Sequence, residues 1–190
     1  MKQTIIAVIC FLCVSSLYIQ AQKINHPSLL YTPQRIQQVK QRMQHEPKLQ
    51  EAWGDIKRTA DEALQKKDFN RLDYLSLAYL MTDNKEYADV IKEILLKTVE
   101  AESWGDVEMM ARIPAWRSQL GMAHKSFLSA VGYDAAYNVM SSSERKKIAE
   151  GLKRLAVEPA LGDWLLEPTR IHSLNSMGHN WWTSCVCQGG

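Results

Sequence analysis

From Thr32 onward the apolar residues recur every three or four positions, the spacing of one face of an α-helix, and no run alternates as a strand does. Thr32 followed by Pro33 predicts a helix entrance: the hydroxyl can accept an orphan amide, and proline at the first helical position gives up no hydrogen bond. "QRIQQVKQRMQH" carries this first helix up to Pro47. A second, "KLQEAWGDIKRTADEALQKK", lines up Leu49, Trp53, Ile56, Ala60 and Leu64. The third is predicted over roughly 70–81 and closes on a "TDN" turn. A fourth, from Lys85 to about Ala101, gathers Tyr87, Ile91, Ile94, Leu95 and Thr98 on one face. The fifth runs from about Gln119 to Met140 and is expected to bury Leu120, Ala123, Phe127, Val131 and Ala135. Ser141 and Glu144 form a capping-box pattern at the start of the sixth, which continues through Ile148, Leu152 and Leu155 and should stop at Pro159.

Two stretches break the rhythm. "ESWGDVEMMARIPAWRSQ" holds the breakers Gly105 and Pro114, and a second irregular stretch spans about 162–178, before the closing "HNWWTSCVC". Connections of this length tend to be functional, and the first is rich in Trp, Met and Arg. Short turns within helix pairs and long connections between them predict an all-α architecture of helical hairpins. That pattern suits a bundle, or an α/α toroid whose loops line a groove.

The amino terminus changes the compartment. Lys2, an apolar run from Thr4 to Leu17 and the small residue Ala21 have the layout of a secretory signal peptide over 1–21. The run is shorter than the roughly 20 residues of a membrane span, so a secreted or periplasmic protein, free of the membrane after cleavage, is expected. About 169 residues then remain, from position 22 to 190, the length of one domain. Lys and Arg number 23 against 21 Asp and Glu, a formal charge of +2, and no basic stripe points to nucleic acid. Cys185 and Cys187 fall on different sides of a helix. They read as buried small side chains rather than as metal ligands with His179.

Four segments, "HPSLLYTPQRIQQVKQRM", "LSLAYLMTDNKEYADVIKEIL", "SFLSAVGYDAAYNVMSSSERKKIAEGL" and "HNWWTSCVCQGG", stand in the order found in heparinase II/III-like and alginate-lyase-like polysaccharide lyases. Over nearly all of residues 22–190 the chain resembles the amino-terminal part of such an enzyme. The resemblance implies part of an incomplete α/α toroid, truncated before the β-sandwich that follows in the family. It also implies a lyase acting on acidic, uronate-containing polysaccharides.

Such lyases remove the C5 proton of a uronic acid and expel the oxygen on C4. The proton is weakly acidic while the neighbouring carboxylate is anionic, so donors aimed at that carboxylate are needed. A base and an acid complete the elimination. By resemblance Asn180 is the neutralising residue, with His179 beside it as the second candidate. Trp181 or Trp182 can offer a face for a sugar ring. His172 and Asn175 lie in the loop before the motif and can line the same cleft, and Trp116 and Arg117 in the earlier loop can meet an anionic sugar. The family's catalytic Tyr and His come from later in the chain, and mid-helix Tyr133 reads as core. The chain alone is therefore expected to be an inactive amino-terminal fragment. No cofactor or metal site is assigned. Two other readings stay open: an α/α-toroid glycosidase using carboxylates among Asp106, Glu108, Asp163 and Glu167, and a non-catalytic carbohydrate-binding module using the tryptophans.

Overall fold

A computed structural model describes residues 24–113, 115–166 and 180–188. Among them every regular element is helical and no strand occurs, so the chain is all-α as its periodicity predicts. The order is α1 (Pro33–Met43), α2 (Pro47–Lys66), a 3-10 turn (Phe69–Arg71), α3 (Leu72–Thr82), α4 (Lys85–Thr98), the short α5 (Val107–Met110) and α6 (Leu120–Ala136). A second 3-10 turn (Tyr137–Val139) leads to α7 (Ser142–Leu152). The signal-peptide reading falls outside the described residues.

Local chemistry sets most of the boundaries. The Thr32 hydroxyl accepts the Arg35 amide at 3.3 Å and opens α1. Pro47 is itself the first residue of α2, at the position that tolerates proline. The "TDN" turn is made by Asp83, left-handed at φ 57°, and by Asn84, whose side chain accepts the Glu86 amide at 3.0 Å. In the capping box of α7, the Ser141 hydroxyl and the Glu144 carboxylate each take the other residue's amide.

The core joins Leu72 and Leu75 of α3, Tyr87, Ile91 and Leu95 of α4, Met122 and Leu128 of α6 and Ile148 of α7. Helix α6 is central and packs against α3, α4, α7 and the closing segment. Its buried positions, among them Met122, Ala123, Ser126, Ser129, Gly132, Asp134 and Ala136, run most of the way round its circumference. The predicted face is therefore partly wrong: Ala123, Val131 and Ala135 are buried, but Leu120 and Phe127 are 37% and 38% exposed. Where neighbouring helices come close, α6 carries small residues instead of large ones. A methyl group at Gly132 would sit 3.3 Å from Ile91 and 3.4 Å from Leu72.

Helix α7 does not end at Pro159. It continues through a wide, π-type stretch (Lys153–Val157), three α-helical residues (Glu158–Ala160) and a second π-type stretch (Leu161–Leu165). Proline lacks an amide and presses on the carbonyl one turn earlier, and the wider turn just before it relieves that clash. Helix α7 runs parallel to α4. Glu144 meets Lys92 at 3.8 Å, Lys147 meets Glu100 at 2.8 Å, and Arg154 reaches the Val99 carbonyl at 2.9 Å. The carboxyl ends of α4 and of the α7 run consequently lie at the same end of the helical array, the end where α6 begins.

Candidate functional site

At that end the segment Trp116–Arg117–Ser118 enters α6, and one carboxylate organises it. Asp163, fully buried in the last turn of the α7 run, accepts the backbone amides of Arg117 at 2.6 Å and Ser118 at 2.8 Å. It also accepts the Arg117 Nε at 3.2 Å. Gly162 makes room for this, because a Cβ there would lie 2.2 Å from the Arg117 guanidinium. Arg117 is thus committed first to a structural ion pair, with its side chain still 36% exposed. The sequence offers Arg117 as a partner for an anionic sugar, and its anchor lies 46 positions away, beyond any local pattern.

Trp116 is held from three sides. Its amide donates to the Met109 carbonyl at 3.0 Å, and the Arg112 guanidinium stands 4.8 Å over its ring. Its indole meets that of Trp181 edge to face, centroids 5.7 Å apart at 74°. Both rings are half-buried against a small cluster of Ala123, Trp164 and Cys185. Asn180, exposed, is the first residue of a helical turn (Asn180–Trp182) that continues as a π-type segment (Thr183–Gln188) along α6. The structure therefore brings Trp116 and Trp181 together, with the exposed Asn180 next to Trp181 in the chain and Arg117, on its Asp163 anchor, next to Trp116. His172, Asn175 and His179 lie outside the described residues, as does the side chain of Trp182.

Cys185 is buried, and its thiol is pushed up to about 12, first by burial and then by the charge of Asp163. At neutral pH it is a packing group and not a thiolate. Asp163 is enclosed and engaged by three N–H donors, so it cannot reach a glycosidic oxygen. Asp106 caps α5, accepting the Glu108 amide at 2.9 Å. Glu167 is outside the described residues. Tyr133 donates to the Arg145 carbonyl at 3.4 Å and stands edge-on to Tyr137, and burial raises its pKa, which suits a packed phenol and not a base.

A second polar cluster escaped sequence reasoning. Asp134, buried in α6, accepts from Ser28 N at 2.9 Å and Leu29 N at 2.8 Å, and its Oδ1 lies 2.6 Å from His26 Nδ1. The His26 ring stacks on Tyr137 at 3.8 Å, and the Asn138 amide donates to the His26 carbonyl at 2.8 Å. This clasp ties the segment before α1 to the core. Its signal was an aspartate inside the apolar run "AVGYDAA", a position that demands partners.

No protein-family model, curated protein or solved structure matches this chain.

Proposed function

We propose that this chain is the amino-terminal, toroid-building part of a secreted or periplasmic polysaccharide lyase that cleaves uronate-containing polysaccharides by β-elimination. The observation that carries the reading is the meeting of Trp116 and Trp181 at the end of the array where α6 begins, with the exposed Asn180 next to Trp181 in the chain. An exposed amide donor beside two fixed indoles suits a uronate: the amide neutralises the carboxylate and an indole receives the sugar's apolar face. The elimination takes the C5 proton to a base, forms the C4–C5 double bond and breaks the C4–O bond, whose oxygen leaves with a proton. In the family this chain resembles, that base and acid lie in later segments, so the role proposed for the residues named here is binding and charge neutralisation. His179, Trp182, His172 and Asn175 belong to the same proposed cleft. Residues 1–21 act as the export signal. The glycosidase reading is weaker, because Asp163 is enclosed.

Incubation with uronate polymers tests the reading. Carboxylate-dependent binding without product supports it. A C4–C5 double bond in a product supports β-elimination, released reducing ends without that double bond make it a hydrolase, and no binding removes the reading.

A further inference from the structure

On the opposite side of α6 from the tryptophans lies a cavity of about 690 Å³, within the size range of small-molecule sites. Ala123 faces the tryptophan cluster, and Lys125, two residues on, lines the cavity. Lys66 and Lys97 near the ends of α2 and α4 line it too, with Lys67, Phe69 and the buried Trp104 from the segments that follow those helices. Four lysines therefore share the cavity with one carboxylate, Glu93.

That glutamate is taken, since Lys67 holds both its oxygens at 2.6 and 2.7 Å. Lys125 forms no salt bridge among the described residues, and Lys97 acts electrostatically on Glu100, whose carboxylate Lys147 already holds at 2.8 Å. A lysine at a helix end often serves the last carbonyls, but around Lys97 the Thr98 carbonyl and those just beyond α4 have other partners. The Trp104 indole donates to the Thr98 carbonyl at 3.3 Å. Arg154 takes Val99 at 2.9 Å, and Ala101 and Glu102 at 3.0 Å each. Lys97 and Lys125 therefore line a space with an aromatic and aliphatic wall, completed by Ile94 and Ala101.

We infer that this cavity binds one acidic sugar unit, its carboxylate held by Lys97 and Lys125 and its apolar ring face laid on the Phe69–Trp104 wall. It would be a second anion-binding position, across α6 from Asn180. The choice of an acidic sugar rests on the proposed polysaccharide function; the charge and shape of the cavity do not. Asn70 and Ser103, also on the wall, supply hydroxyl-matching groups.

The test is a heteronuclear NMR titration of the labelled chain with glucuronate, using glucose as the uncharged control. Saturable shifts of the Trp104 indole N–H and the Thr98 and Lys125 amides with glucuronate, absent with glucose, are expected. The double variant K97Q/K125Q should weaken binding at least about tenfold, the loss that follows when charge-assisted contacts are removed. Equal response to glucose, no saturable shift at Trp104, or undiminished binding by the folded double variant overturns the inference. If that variant fails to fold, the wild-type shift map decides. Shifts at Trp181 without shifts at Trp104 overturn this inference while supporting the proposed cleft, and shifts at Trp104 alone do the reverse.

Discussion

The Asp163 carboxylate holds the Arg117 backbone amide at 2.6 Å and its Nε at 3.2 Å, fastening the loop before α6 to the end of the α7 run. Because Asp163 is fully buried, removing it strands those donors in the interior. Asp163→Ala is expected to cost about 3 kcal/mol. Arg117→Ala should cost less, because the amides of Arg117 and Ser118 keep their acceptor. Urea unfolding of both variants checks the order, and the reverse order would contradict it.

Two glycines respond differently to an added methyl. At Gly151 a Cβ would lie 2.4 Å from the Cβ of Val99, a branched side chain fixed in the α4–α7 contact. Gly151→Ala should cost about 2 kcal/mol by overpacking. At Gly162 the obstacle is the end of the Arg117 side chain, which can swing away at the loss of one hydrogen bond, about 1 kcal/mol. In an Arg117→Ala background, Gly162→Ala should be neutral or stabilising, since alanine is the better helix former. A double-mutant cycle on thermal unfolding measures both.

The His26–Asp134 clasp predicts that Asp134→Ala loses about 3 kcal/mol, because a 4%-exposed side chain leaves two amides and a histidine without their acceptor. His26→Ala should lose less. Hydrogen exchange gives the finer readout: the Ser28 and Leu29 amides should lose protection in both variants, while the α4 amides keep theirs.

These contacts also mark where the sequence was readable. Thr32, Asn84 and Ser141 announce helix starts because a cap and its amide are neighbours in the chain. His26 and Asp134 are 108 positions apart, and Arg117 and Asp163 are 46 apart, so no local pattern joins them. Phe127 misled because α6 is buried round most of its circumference, which removes the apolar stripe that marks a surface helix. Pro159 misled because a wide turn before it lets the helix continue. Of the proposed site, Trp116, Trp181 and Asn180 were legible as residue types, and the meeting of the two indoles was not.

Alkaline pH should weaken the fold through Cys185. Its thiol is raised from 9.0 to about 12 in the folded chain, so between those values the unfolded chain releases a proton that the folded chain keeps. Stability then falls as pH rises, by about 1.4 kcal/mol per pH unit above the unfolded value. Tyr31, raised to about 12 mainly by burial, adds to the fall above its ordinary value of 10.0. Cys185→Ala should flatten the slope just above pH 9. Slow alkylation of Cys185 in the native chain at mildly alkaline pH, against rapid alkylation in urea, gives a second check.

The most direct test of the proposed cleft is calorimetric titration of a short oligouronate into the wild-type chain and the Asn180→Ala variant, with the carboxyl-reduced oligosaccharide as control. If Asn180 neutralises the uronate carboxylate, the variant should bind about tenfold more weakly, about 1.4 kcal/mol. The reduced oligosaccharide should then bind both proteins alike and weakly. Wild-type affinity in Asn180→Ala, or equal affinity of the wild-type chain for the charged and reduced sugars, would contradict the account.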